Sequence, residues 1–265
     1  VIRRRLQVRR PKHQPITKLI PNLLTLLNLC AGVTAIRFAL NDQFEAAVAA
    51  ILVAAVLDML DGGMARLLRA SSKLGAELDS LADLVSFGVA PGVMVYAWAL
   101  HEAGGIGWVP TLLFCVCAAL RLARFNIAQD AKTDTPGPYW YFMGLPTPGA
   151  AGVILVPMLL WFQFPDGPFD GVLLNSGFTV FAALLMVSTL PTFSLKGGHV
   201  PHRYVIPILL LFCIVVGLAV EAPWATLTVV MIVYIASIPL SLITFRRSQR
   251  KSPEVSTPPD TDGGV

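Results

Sequence analysis

Apolar residues in this chain fall in eight long blocks instead of alternating with polar ones. The blocks lie near residues 20–40, 43–65, 78–100, 108–125, 144–163, 171–190, 204–220 and 223–245. Each approaches the roughly 20 residues that a helix needs to cross a hydrocarbon core of about 30 Å. In lipid every backbone N–H and C=O must be satisfied within its own segment, so blocks of this length predict helices. The expected fold class is therefore all-α, a polytopic transmembrane bundle of about eight spans. Short connections close alternate pairs, at residues 41–42, 101–107, 164–170 and 221–222, whereas the remaining connections are longer and basic.

Composition removes the soluble alternative. Hydrophobic residues make up 55% of the 265 and charged ones 14%, against about 25% charged in a soluble domain. The four cysteines (Cys30, Cys115, Cys117 and Cys213) all sit inside apolar blocks. Cys115 and Cys117 are two apart, a spacing that suits neither a zinc knuckle nor a redox pair.

The net charge of +4 raises the question of nucleic acid, but the placement of the basic residues answers it. Seven Lys and Arg precede the first block, three lie in the loop of Arg66, Arg69 and Lys73, and three in the loop of Arg121, Arg124 and Lys132. Two more, Lys196 and Arg203, and then four from Arg246 to Lys251 follow, leaving Arg37 near the opposite face. Under the positive-inside rule both termini and the long loops are cytoplasmic, and no nucleic-acid partner is called for. Four regions follow: a basic cytoplasmic or interfacial segment at 1–19, a six-span core at 20–203, a two-span hairpin at 204–245 and a disordered tail at 246–265. A cleavable leader is not expected, because the first block is long for one and runs on into further spans.

Carboxylates in membrane segments cost roughly 2.5–3.5 kcal/mol each at mid-helix on insertion scales and mark function. Four of them cluster at the ends of two consecutive blocks. Asp58 and Asp61 share a helix face with Ala65, and Asp79 and Asp83 share another. A tight turn through Arg69 to Lys73 would make the two helices antiparallel neighbours and bring both pairs together. Four such anions repel one another, and hard divalent cations relieve them; carboxylate oxygens suit Mg²⁺ or Mn²⁺. Gly62, Gly63 and Ala65 leave room for a large ligand, although small residues also serve helix packing in membranes.

The pattern Asp58-x2-Asp61-Gly62-x2-Ala65-Arg66-x8-Gly75-x3-Asp79-x3-Asp83 resembles the signature of the CDP-alcohol phosphotransferase family at every defined position. The resemblance implies two metal ions held by Asp58, Asp61, Asp79 and Asp83, with Asp58 and Asp79 touching both. It implies Asp83 as the general base. It places Gly62, Ala65, Arg66, Ser72 and Gly75 around the cytidine diphosphate, with Asn22 and Thr25 of the run Pro21-Asn22-Leu-Leu-Thr25 beside them. The chemistry suits these residue types: a pyrophosphate leaving group needs its charge neutralised, and an attacking alcohol needs a base within reach.

Three further stretches are similar to the bacterial phosphatidylserine synthase branch: Leu84 to Pro91, Arg121 to Asn126 and Gly144 to Pro148, with Pro191 to Lys196 fitting too. That branch implies CDP-diacylglycerol and L-serine as substrates, the bacterial inner membrane as location and an active site at the cytoplasmic face; it leaves a homodimer open. Serine is a zwitterion, so Arg121, Arg124 and Asn126 become candidates for its site. Snorkelling to the interface and complementing a helix C-terminus explain the two arginines equally well. Glycerol 3-phosphate, inositol phosphate or choline as acceptor, and a divalent-cation transporter, are the competing readings.

The charge asymmetry is testable by accessible-cysteine labelling in sealed vesicles. Positions 73, 132 and 196 should label from the cytoplasmic side and position 166 from the other. Labelling of 73 and 166 from one side would refute the eight-span arrangement.

Overall fold

The computed structural model describes residues 19–68, 72–131, 141–188, 191–193 and 205–249. The N-terminal basic segment up to residue 18, Arg69, Lys132, Lys196, His199, His202 and the tail from residue 250 lie outside them. Helices α1 (Leu19–Ala39), α2 (Phe44–Leu67) and α3 (Lys73–Asp83) come first, and a six-residue π-helical segment (Leu84–Val89) carries α3 into α4 (Ala90–Trp98). A 3₁₀ stretch (Leu100–Gly107) leads to α5 (Trp108–Ala131), then follow α6 (Thr147–Gln163), α7 (Val172–Val187), α8 (Val205–Glu221) and α9 (Pro223–Gln249). Leu19–Ala39, Lys73–Trp98 and Leu100–Ala128 are each long and apolar enough to cross a membrane, and several shorter apolar helices accompany them.

The helices occupy the apolar blocks but overrun them. α2 continues to Leu67, α3 begins at Lys73 and not near 78, and α5 runs to Ala131. α9 reaches Gln249, four residues into the stretch expected to be a disordered tail. Hydropathy marks where apolar side chains end, whereas a helix continues wherever its hydrogen-bond ladder can. Charged residues extend these helices beyond their apolar blocks.

The fold is all-helical, as expected, with one short strand pair added. Strand β1 (Tyr141–Met143) pairs antiparallel with β2 (Pro191–Phe193), with Tyr141 opposite Phe193 and Met143 opposite Pro191. The fifth block accordingly starts its helix at Thr147, not at Gly144. Gly144 takes φ +80°, and a side chain there would press on the Met186 and Ser188 carbonyls at 2.7 and 2.9 Å. Pro146 is extended, capping a helix whose second residue is Pro148. Glycine and proline chemistry thus keeps residues 144–146 out of the helix.

Packing follows small residues. The buried positions of α1 are Pro21, Thr25, Asn28, Gly32, Ala35 and Ala39, alternating four and three apart along one stripe. Ala47, Val48, Ile51 and Ala54 of α2 are buried as well, and α1 and α2 run in close contact. Apolar surface gains nothing by leaving lipid for protein, so close approach and dispersion must hold such a pair together. α6 lies at the centre, with ten buried residues from Thr147 to Leu159, and packs against α4, α7 and α9. α8 exposes Ile206, Ile208, Leu209, Leu210, Leu211 and Ile214, as a helix bathed in lipid does.

Gly32 is the tightest point of the α1 stripe. A Cβ there would overlap the Ser86 side chain and stand 2.7 Å from its Cα, on the π-helical segment. Overpacking of this kind costs about 1–3 kcal/mol. Gly32→Ala should therefore lower the thermal unfolding temperature in detergent by several degrees. Gly177→Ala, where nothing lies within 4 Å, should leave it unchanged.

Candidate active site

α1, α2 and α3 converge on the carboxylates. Oxygens of Asp58, Asp61 and Asp79 all lie within 4.8 Å of one another. Asp83 completes the group by contact with Asp58. In surroundings of effective dielectric about 20, each ionised pair at such a distance repels by on the order of 3–4 kcal/mol. Three such pairs reach roughly 10 kcal/mol, which rivals the whole net stability of a domain. A bound cation or a retained proton relieves that repulsion.

Two residues of α1 hold the carboxylates in place. The Thr25 hydroxyl donates to Asp61 Oδ2 at 2.7 Å, and Asp61 is only 4% exposed. Asn28 Nδ2 donates to Asp83 Oδ1 at 3.4 Å, and the Asn28 carbonyl accepts from Ser86 Oγ at 3.1 Å. Sequence reasoning missed Asn28. The signal was there: Asn28 follows Thr25 by three residues on a helix whose other face is apolar. Buried Asp79 Oδ1 and Asn28 Oδ1 have no protein partner among the described residues. Orphaned oxygens beside three converging carboxylates make an all-oxygen donor set, which fits a hard divalent cation. The four cysteines are free and take no part in the group.

A pocket of about 170 Å³ opens beside this cluster. Pro21, Asn22 and Thr25 line it from α1, Asp61, Gly62 and Ala65 from α2, and Ser72, Gly75, Ala76 and Asp79 from the start of α3. Six of the seven residues expected around the nucleotide thus share one cavity. Arg66, the seventh, is exposed at its rim, where Nε donates to the Gly62 carbonyl at 3.1 Å. Ser72 caps α3 by accepting from the Gly75 N–H at 3.0 Å. A Cβ on Gly75 would stand 2.8 Å from Asn22 Oδ1, so glycine lets α3 close onto α1. The pocket consequently meets the first turn of an eleven-residue helix, whose amide dipoles favour an anion.

Across the cluster, α5 contributes the residues expected on the acceptor side, and they do different things. Arg121 is pulled inward: Nη1 donates to Thr147 Oγ1 at 3.1 Å, Nε is buried without a partner among the described residues, and the guanidinium is within electrostatic reach of Asp83. Arg124 is exposed and donates to the Val187 carbonyl at 3.0 Å, at the C-terminus of α7. Asn126 accepts from Ser80 Oγ at 2.9 Å and lies 3.5 Å from Glu77, tying α5 to α3. The structure therefore brings Arg121 towards Asp83, while Arg124 and Asn126 bond to neighbouring helices.

Residues 18–193 match the model of the CDP-alcohol phosphatidyltransferase family. The chain belongs to that family. A second model, CDP-alcohol phosphatidyltransferase 2, matches residues 203–239, so the C-terminal hairpin carries a family match of its own. The chain is 40% identical over 241 residues to a CDP-diacylglycerol–serine O-phosphatidyltransferase of Mycobacterium bovis, covering 90% of this chain and 82% of that protein. Proteins of the same name from Helicobacter pylori (40% identical, 65% of this chain, 70% of the relative) and Bacillus subtilis (42% identical, 52% of this chain, 73% of the relative) are similar to it as well. This phosphatidyltransferase is an enzyme whose apolar helices suit a membrane and whose aspartate cluster is able to take a divalent metal.

Thr25 was expected beside the nucleotide, and it also fixes a cluster carboxylate. Removing a partner that orients a metal-binding group typically costs 10–100-fold in metal affinity or activity. Thr25→Val should raise the Mn²⁺ concentration for half-maximal activity by about that factor. Mn²⁺ binding followed by electron paramagnetic resonance should weaken in parallel.

Proposed function

We propose that the chain transfers the phosphatidyl group of CDP-diacylglycerol to the hydroxyl of L-serine, releasing CMP. Support comes first from relatives of that name, matched at about 40% identity over most of the chain. The observation that carries the reading is the convergence on one carboxylate cluster of two unlike surfaces. On one side lies the pocket at the start of α3, suited to a diphosphate. On the other lies Arg121, with a buried N–H to spare, suited to the carboxylate of an amino-acid acceptor.

Asp58, Asp61, Asp79 and Asp83 would hold one or two divalent cations, Mg²⁺ or Mn²⁺. Such ions would neutralise the charge of the diphosphate and its leaving group. Asp83 accepts the proton of the serine hydroxyl as its oxygen forms a bond to the β-phosphorus, the one that carries the diacylglycerol. The bond from that phosphorus to the bridging oxygen breaks, and CMP departs with both electrons. Asn28 keeps Asp83 oriented towards the hydroxyl, and Thr25 does the same for Asp61. Arg66 and the first turn of α3 hold the nucleotide phosphates, with Asn22, Gly62, Ala65, Ser72 and Gly75 shaping the pocket. Arg121 takes the serine carboxylate, while Arg124 and Asn126 support that side by fixing α5 against α7 and α3.

The same reading sets the chain in a bacterial inner membrane with eight spans, both termini and the active site cytoplasmic. Residues 20–203 form the catalytic core and 204–245 a hairpin packed on it through α9. The distribution of Lys and Arg supports this orientation.

Labelled CDP-diacylglycerol offered to the enzyme with a panel of acceptors tests the proposal. Serine should yield phosphatidylserine, and chelation by EDTA should abolish turnover until Mg²⁺ or Mn²⁺ is restored. A product made from glycerol 3-phosphate and none from serine would overturn it. Asp83→Asn should lower kcat by about 10²–10⁴-fold, the usual worth of a general base, while CDP-diacylglycerol binding persists.

A further inference from the structure

The C-terminal hairpin reaches the acceptor side of the site through Tyr234 on α9. Its ring packs against the first turn of α6: a Cβ on Gly149 would stand 2.6 Å from the phenolic oxygen and 2.9 Å from Cε1. Two residues earlier on that turn, Thr147 accepts the hydrogen bond from Arg121 Nη1. Tyr234 and Arg121 therefore seat on neighbouring positions of one helix end, and each is within electrostatic reach of the other.

The surroundings of the phenol are otherwise unsuited to a polar group. Tyr234 borders a cavity of about 320 Å³ whose wall includes Ala55, Phe87, Pro146, Pro148, Leu227 and Met231. Among the described lining residues it supplies the one side-chain hydroxyl. The half-buried Tyr234 hydroxyl has no protein hydrogen bond among the described residues, and a phenol placed this way normally finds a partner. Arg121 Nε is buried with no partner among the described residues. One cationic and one neutral donor thus lie beside the first turn of α6, and the cationic one is within electrostatic reach of Asp83. A carboxylate has two oxygens and would satisfy both.

The geometry points to Tyr234 as a specificity-determining residue of the acceptor site, its hydroxyl donating to one oxygen of the amino acid's carboxylate while Arg121 Nε donates to the other. This inference rests on serine being the acceptor. It goes beyond that reading by giving the C-terminal hairpin a place in substrate choice. An acceptor without a carboxylate, such as ethanolamine, leaves both donors unpaired in a buried site, and the enzyme rejects it on that account.

Paired titrations of L-serine and CDP-diacylglycerol in mixed micelles, with wild type and Tyr234→Phe, test the assignment. The variant keeps the ring against Gly149 and removes one oxygen, so its thermal transition should stay near that of wild type. A hydrogen bond to a charged group is worth a factor of about 10–100, so the serine KM should rise by that factor. The KM for CDP-diacylglycerol and the kcat at saturating serine should stay put. The preference for serine over ethanolamine, a ratio independent of how much enzyme is folded, should shrink by a similar factor. An unchanged serine KM and an unchanged preference would overturn the assignment. So would a raised CDP-diacylglycerol KM with serine unaffected, which would make Tyr234 part of a wall for the lipid. A wild-type enzyme that makes no phosphatidylserine would instead sink the functional reading itself.

Discussion

Mutual repulsion among four carboxylates in an apolar bundle is the constraint around which this molecule is built. Bringing Asp58, Asp61 and Asp79 within 4.8 Å of one another opposes folding by an amount comparable to a domain's net stability. The structure meets that cost with geometry. Close packing of α1 on α2 fixes one wall, and the capped start of α3 fixes the other. Thr25 and Asn28 reach from α1 to the carboxylates, so one stripe of α1 serves both packing and chemistry. A divalent cation held at the cluster would then stabilise the fold as well.

The two faces of the cluster explain how one site handles unlike substrates. The proposed nucleotide side is assembled largely from backbone and small side chains: a helix start, two glycines, two alanines and a capping serine. Such a surface recognises a diphosphate by its charge and admits it by its lack of bulk. The acceptor side is assembled from long polar side chains anchored by hydrogen bonds to other helices. α6 organises the second of these sides, because Thr147 on its first turn positions Arg121 and Gly149 on the same turn seats Tyr234. On the proposed reading, changes in acceptor preference would belong to α5, α6 and α9, and the donor would be tied to α1, α2 and α3.

Legibility from sequence followed the strength of the physical signal. The helices were readable because lipid allows few alternatives to a hydrogen-bonded helix, and their blocks are long. The carboxylate cluster was readable because ionisable residues in such blocks are costly and rare. Helix ends were less so: Lys73 and Gln249 lie beyond the apolar blocks that hydropathy detects. The β1–β2 pairing escaped because three-residue strands carry no periodicity. Asn28 escaped because its position three residues after Thr25 is a weak signal and its partner, Asp83, lies 55 positions away. Arg121 and Arg124 share one helix end at a spacing of three, and it is burial that separates them: Arg121, which sequence alone assigned less readily to the acceptor, turns inward to Thr147, and Arg124 turns outward to Val187.

The π-helical segment Leu84–Val89 begins at the residue after Asp83 and ends where α4 begins. Wide turns of this kind arise when one extra residue is accommodated within an α-helix, and they gather near functional sites. One residue corresponds to roughly 100° of rotation about a helix axis. The segment thus works as a phase shifter between two ends of one rod. It lets Asp79 and Asp83 point at α2 while Phe87, Ala90 and Met94 stay turned into the core. Shortening this stretch by a single residue would leave composition, hydropathy and span length almost untouched. It would nonetheless swing the aspartates out of alignment with the helix that carries their partners, so chain length between Asp83 and Ala90 is as strict a requirement as the identity of the carboxylates.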